Sequence, residues 1–329
     1  MELMFIKACQ NGQKGIVDIY LKKGGFNINH VDDGGCTALH YACKNSTREI
    51  VKMLIDNGAN VSIANNKGIT PLHNAVVTGN KDIVKMLLEK GADINATDNN
   101  GESIIIYAIK SGKNEMVKYL KGLGADITIA DNEGKNAINY AAANGMTGLI
   151  NDVFSGEEYG ADSYGNTALH HACHKGHGET VKELLNNTDV ETDAVNDAGE
   201  TPLIIAVREN NYYIAELLIN AGADINKKTD NGENLIHTAA KLRKYNMVNL
   251  LVKNGADVNV RNKYGETPLL CAIKSTDGQR PSVDIVKLLL DYKADVNCKD
   301  MWGNSALYYA TNHNNSAIIE MLFSEGAEQ

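Results

Sequence analysis

The run HHACHKGH concentrates His170, His171, Cys173, His174 and His177 within a single turn-rich stretch. His170 and His174 stand four residues apart, so a helix would bring both imidazoles to one face, the spacing that paired zinc ligands use. A metal-dependent protein, or an enzyme with its site at residues 170–177, is one function the run admits. No carboxylate completes a ligand set in sequence, and a metal site depends on supporting groups of that kind. His170 also stands at the same place in a recurring phrase as His40, His73 and His237. That register points to structural histidines hydrogen-bonded to the neighbouring threonine hydroxyl. Only His171 and His174 are extra, and neither a metal nor a cofactor is expected.

The elements that carry these residues are repeats. Gly35, Gly68, Gly101, Gly134, Gly165, Gly199, Gly232, Gly265 and Gly303 recur at spacings of 33, 33, 33, 31, 34, 33, 33 and 38 residues. A fixed period of this length marks stacked units, each contacting only its neighbours. Such an array encloses no single pocket; it presents one long surface of loops and first helices, suited to holding something.

Around the glycines the phrases match: DDGGCTALHYA from Asp32, NNKGITPLHNA from Asn65, DSYGNTALHHA from Asp162 and NKYGETPLLCA from Asn262. Three of the four prolines, Pro71, Pro202 and Pro268, follow Thr70, Thr201 and Thr267. Proline at a first helical position loses no useful donor, and the threonine caps the open amides, so a helix is expected to start there. Small pairs such as Ala42 and Cys43, or Ala239 and Ala240, let neighbouring first helices approach closely. Gly79, Gly112 and Gly145 then stop the helix. A second helix carries one-sided apolar pairs such as Ile83, Val84 and Leu87, Leu88. It stops at Gly58, Gly91, Gly124, Gly222, Gly255 or Gly326, before a tight hairpin tip.

This pattern resembles the ankyrin repeat, and the resemblance covers essentially the whole chain. It implies an all-α ankyrin-repeat solenoid of helix-turn-helix units with β-hairpin-like loops, in a single domain over residues 1–329. Units are expected to begin near residues 1, 32, 65, 98, 131, 162, 196, 229, 262 and 300. His177 matches the residue common in the family after the helix-breaking glycine. In ankyrin arrays the tip residues, and the first-helix residue after the repeat histidine, line the concave face. Carried over, the helix column is Tyr41, Asn74, Tyr107, Tyr140, His171, Ile205, Thr238, Cys271 and Tyr309. The last tip position is Gly34, Lys67, Asn100, Glu133, Tyr164, Ala198, Asn231, Tyr264 and Trp302. Partner contacts are expected at Tyr41, Tyr107, Tyr140, His171, Tyr164, Tyr264, Trp302 and Tyr309, since Tyr and Trp anchor protein interfaces. The competing reading is that the tyrosine rings cover the stack beneath them. The resemblance implies a non-catalytic scaffold for a protein partner, acting as a monomer.

Net charge is −9, with 43% hydrophobic, 22% charged and 6% aromatic residues. An acidic chain without a basic stripe disfavours nucleic acid. The first residues, MELMFIKACQNG, hold too short an apolar run for a signal core or a membrane span, so no membrane insertion is expected. Cys9, Cys43 and Cys173 share one repeat position as packing residues, while Cys36, Cys271 and Cys298 are scattered, which fits reduced thiols and a cytoplasmic location. A secreted, host-directed array is the alternative, because export without a cleaved signal leaves no trace in sequence.

Two stretches break the pattern. From Asn151 to Gly165 the fifth unit is shortened, which reads as a tolerated irregularity or as a bend between units one to five and six to ten. Ser275 to Ser282, STDGQRPS, adds about five residues between the helices of unit nine, as an exposed loop.

Overall fold

The computed structural model describes residues 1–154, 160–186, 190–229, 232–274 and 281–328. Among the described residues twenty helices follow one another in pairs, from Glu2–Gln10 and Lys14–Lys23 to Ala306–Asn312 and Ser316–Ser324. Among the described residues extended pairing is limited to isolated antiparallel bridges beside the tips, Thr97 with Ser103, Lys228 with Asn234 and Lys299 with Ser305. The chain forms two compact bodies, Met1–Ser163 and Tyr164–Gln329.

Helix starts follow the chemistry of the phrase. Pro71, Pro202 and Pro268 open first helices, and Thr201 and Thr267 accept the amides of Ile204 and Leu270. The first helices are short, as in Pro71–Thr78 or Ile104–Lys110, and apart from Pro268–Ile273, which runs into an extended Lys274, they end where a residue takes positive φ. Gly79, Gly112 and Gly145 do this at no steric cost. Ser46, Asn210, Arg243 and Asn314 take the same conformation in other units, at φ between 51° and 57°. After second helices Lys293 replaces the usual glycine, at φ 66°.

Within each body the first helices pack in one series and the second helices in another. Alanine makes the close approach of first helices possible: Ala42, Ala75, Ala108 and Ala141 in one body, and Ala172, Ala206, Ala239 and Ala310 in the other, are all fully buried. The apolar pairs of the second helices fill the space behind them, with Val51, Leu54, Ile83, Val84 and Leu87 at zero exposure. At the last helix Leu322 is wholly buried while Phe323 turns outward. No helix among the described residues is long and apolar enough to cross a membrane.

The glycine period has a packing cause beyond turn geometry. A Cβ on Gly68, at φ 78°, would lie 2.6 Å from the Asn99 amide nitrogen of the next tip. That approach exists because the Asn99 amide donates to the Lys67 carbonyl at 3.0 Å, a contact that joins consecutive tips. The equivalent bonds run from Asn66 to Gly34, Asn132 to Asn100, Asp197 to Tyr164 and Met301 to Tyr264. Of the two irregular stretches, residues 155–159 and 275–280 lie outside the described residues. Chain description resumes at Pro281, and Ser282 donates to the Ala272 carbonyl at 3.3 Å before the helix Val283–Asp291.

Candidate partner-binding surface

Each tip is built on one Asp or Asn, except the eighth, which begins at Thr229. Asp131 Oδ1 accepts the amides of Glu133 and Lys135, both at 2.9 Å, and Asn65, Asp98, Asn196, Asn262 and Asp300 do the same in their own units. This Asx turn fixes the tip but leaves the second polar atom of the side chain to be satisfied. In an asparagine that atom donates. Asn65 Nδ2 points to Cys36 Sγ at 3.4 Å, Asn196 Nδ2 to Asn166 Oδ1 at 2.9 Å and Asn262 Nδ2 to Glu266 Oε2 at 2.9 Å.

In an aspartate the second atom accepts, and in four units a tyrosine nine residues later supplies the donor, while Asp162 has His171 at that place. Tyr41 Oη donates to Asp32 Oδ2 at 2.6 Å, Tyr107 to Asp98 at 2.9 Å, Tyr140 to Asp131 at 2.6 Å and Tyr309 to Asp300 at 2.5 Å. Burial alone would raise the carboxyls of Asp32 and Asp300. The tyrosine hydroxyl and two tip amides outweigh it and hold both below the ordinary carboxylate range. The Tyr107 and Tyr140 phenols are pushed up by burial and then by their aspartates.

The four tyrosines of the helix column therefore spend their hydroxyls inside their own units, and their rings stay half-buried. Some rings also reach a neighbouring unit. Tyr107 packs edge-on against His73 with centroids 4.7 Å apart, and Lys110 Nζ lies 5.6 Å over the Tyr140 ring. These rings thus cover the stack while staying partly exposed. His171 holds its place in the column, also half-buried. Tyr164, at a tip, is 55% exposed. Asn231, the eighth tip, lies outside the described residues.

Three of the expected residues come together at the end of the second body. Tyr264 and Trp302, on adjacent tips, stack with centroids 6.1 Å apart and planes 14° from parallel. They remain 38% and 58% exposed despite the stacking. Lys274 Nζ sits 4.6 Å from the Trp302 centroid and 5.4 Å from that of Tyr309, close enough for cation–π attraction to both. The same ammonium bonds Glu266 Oε1 at 2.7 Å. Burial disfavours the Glu266 charge, but Lys274 and Asn262 hold the carboxyl below its ordinary range. The aromatic pair therefore rests on a fixed ionic support.

That support was missed in the sequence, although a spacing carries it. A glutamate directly after the tip glycine pairs with a cation eight residues later in Glu102–Lys110, Glu200–Arg208, Glu233–Lys241 and Glu266–Lys274. The pair spans the tip and the whole first helix, so neither helical nor strand periodicity reveals it.

The histidine run separates into its parts. His170 Nδ1 accepts the Thr167 amide at 3.2 Å and lies 2.9 Å from the Thr167 hydroxyl, while Nε2 faces the Glu200 carbonyl at 3.0 Å. An accepting Nδ1 places the proton on Nε2, which donates to that carbonyl. His40 repeats the arrangement with Thr37 and the Ile69 carbonyl. Both nitrogens of His170 are thus used by protein groups, which removes it from the pair with His174. His174 is exposed, 3.9 Å from Glu209. Burial pushes the Cys173 thiol strongly up, away from the thiolate a metal or a reaction would need. No group of three metal-binding side chains occurs among the described residues.

Sequence models of ankyrin repeats match residues 5–98, 139–229 and 236–329, and a second ankyrin-repeat model matches 87–141. The chain belongs to the ankyrin-repeat family. A stretch of 58 residues is 36% identical to human BCL-6 corepressor-like protein 1, covering 18% of this chain and 3% of that protein. The match thus spans a small fraction of that relative's length. Among solved structures, the ankyrin repeat domain of Bcl-3, described as a unique member of the IkappaB protein family, matches with a TM-score of 0.60. Identity is 27%, over 68% of this chain and 100% of that one. The glycine period, the capped first helices and the tip ladder are thus ankyrin features in this chain, and the family supports a general role in protein interaction.

Proposed function

We propose that this ankyrin-repeat chain is a non-catalytic scaffold that binds a protein partner through its hairpin tips and first-helix column, with the principal contact at Tyr264, Trp302 and Tyr309. The observation that carries this reading is the Tyr264–Trp302 stack, large rings on adjacent tips that stay substantially exposed. Such rings add little to their own fold yet offer area to a partner, and Trp and Tyr dominate interface hot spots. Tip-to-tip hydrogen bonds and Asx turns hold the surface in place before binding, which limits the ordering cost of association. A catalytic reading at residues 170–177 is weakened by the full engagement of His170 and the burial of Cys173. Cytoplasmic residence accords with six free cysteines, of which Cys9, Cys43, Cys173 and Cys271 are buried as packing residues, and the scaffold is read as acting as a monomer.

The test is the double substitution Trp302→Ala, Tyr264→Ala against a partner isolated by affinity purification and mass spectrometry. Loss of about 2 kcal/mol or more of binding energy by calorimetry, with an unchanged melting temperature, supports the reading. Unchanged affinity, or loss of binding only through unfolding, overturns it.

A further inference from the structure

The residue directly before the tip Asp, Asn or Thr forms another column. It reads Val31, Ala64, Thr97, Ala130, Ala161 and Val195 through the seventh unit, then Lys228, Arg261 and Lys299 in the last three. All three cations are exposed. Lys228 and Lys299 sit in the antiparallel backbone bridges to Asn234 and Ser305, and the exposed Arg261 side chain reaches the Lys299 carbonyl through Nη2 at 3.2 Å. Lys263, also exposed, lies at the ninth tip with Nζ 5.1 Å from the Tyr264 ring.

Of the acidic groups in these hairpins, Asp224 and Asp257 are exposed and Asp230 lies outside the described residues, while four others are engaged within the protein. Glu233 is paired with Lys241, Glu266 with Lys274, and Asp300 accepts Tyr309 together with two tip amides. Asp295 stands beside Arg261 and accepts from Cys298 Sγ at 3.0 Å. In a chain of net charge −9, the last three hairpins therefore gather exposed cations around an exposed aromatic pair. The tips of the first body have no counterpart, with Asp33, Gly34, Asn66, Lys67, Asn99, Asn100, Asn132 and Glu133 at the two positions before the glycine. Residues 230 and 231 of the eighth tip lie outside the described residues.

We infer that the exposed row Lys228, Arg261 and Lys299 and the Tyr264–Trp302 pair bind an acidic, extended protein segment, whose apolar or aromatic side chain packs on Trp302 and Tyr264 while its carboxylates face the three cations. This names the partner chemistry of the surface proposed above and rests on that reading. The rings supply the anchor. Exposed ion pairs each add little affinity, but a row of them sets the charge and direction of what can bind and speeds its arrival. A nucleic-acid strand would require cations tracking a backbone along a longer path than three hairpins of an acidic chain provide.

Trp302 is the only tryptophan, so its emission reports the site directly. The full chain is titrated with a synthetic peptide of glutamate and serine carrying one central phenylalanine, with the same peptide bearing lysine for glutamate, and with oligothymidylate. The acidic peptide alone is expected to shift Trp302 emission, with an affinity that falls as salt rises. The triple substitution Lys228→Gln, Arg261→Gln, Lys299→Gln should weaken binding roughly tenfold without changing the melt, since none of the three side chains is buried. Failure of the acidic peptide to bind, equal binding of the lysine peptide, or binding of oligothymidylate instead overturns the acidic class. An emission shift that depends on the phenylalanine but not on the peptide's charge would overturn it too, while leaving the aromatic surface intact. Binding of the acidic peptide without any change in Trp302 emission places its site elsewhere and overturns both.

Discussion

Tyr140 donates its hydroxyl to Asp131 Oδ2 at 2.6 Å, across the nine residues that separate a hairpin tip from the middle of the first helix. The bond ties the surface residue of the column to the turn that shapes the tip, so the two cannot vary independently. Wherever the column holds tyrosine in this chain, the tip begins with aspartate: Asp32, Asp98, Asp131 and Asp300. Where it holds Asn74, Ile205 or Cys271, the tip begins with asparagine, whose amide donates instead.

A double-mutant cycle on this pair should therefore show coupling. Tyr140→Phe leaves the Asp131 Oδ2 acceptor without its donor, and Asp131→Asn keeps the Asx turn through Oδ1 but removes the charged acceptor. Each substitution should cost about 1 kcal/mol in urea denaturation, with a coupling of similar size because a charge-assisted hydrogen bond is lost only once. Additive effects would mean that the bond contributes nothing beyond its separate groups.

How much of this was visible before the structure depends on the length scale of the interaction. The threonine–proline starts, the glycine stops and the role of His40 and His170 follow from local chemistry within one turn, and the structure has them where the phrase places them. The tyrosine column is legible as a column, but its hydroxyl bonds and the Glu266–Lys274 support under Trp302 are not. They run between a tip and a helix of the same unit, at separations of nine and eight residues that match no backbone periodicity. Comparing units with one another would have exposed both, since aspartate co-occurs with tyrosine and glutamate with a later cation. The stacking of Trp302 on Tyr264 depends instead on the ladder that joins adjacent tips, and no single unit carries that information.

The repeat glycines divide into two kinds that substitution should separate. Gly68 and Gly91 both have positive φ, but a Cβ on Gly68 would strike the Asn99 backbone, whereas nothing lies within 4 Å of one on Gly91. Gly91→Ala should cost about 1 kcal/mol, the conformational penalty alone. Gly68→Ala should cost several times as much, because the tip-to-tip bond must open. Equal losses in thermal melts would show that the ladder contributes little.

The opposite change is available at Lys293, which holds φ 66° where other units use glycine. Lys293→Gly should raise stability by up to about 1 kcal/mol, by relieving a left-handed conformation that costs a residue with a side chain. The exposed pair it gives up, Lys293 with Glu325 at 3.8 Å, offsets little of this. A lower melting temperature in the variant would count against the strain.

Acid should weaken the fold through the repeat histidines. Burial holds His73 down to about 4 and lowers His40 and His237 as well. In the unfolded chain imidazole takes its proton near 6.5, so between those values the unfolded state carries more protons and stability rises with pH. The contribution is complete above roughly pH 6.5 and is lost as pH falls toward the folded value, by up to about 3 kcal/mol for His73. Unit nine shows a tolerated replacement, since Thr267 to Leu270 reads TPLL where Thr70 to His73 reads TPLH. His73→Leu should therefore flatten the dependence of the melting temperature on pH between 7 and 5. A slope identical to that of the parent would show that His73 does not titrate against folding, and that carboxylates such as Asp32 and Asp300, which act at lower pH, govern the acid limit.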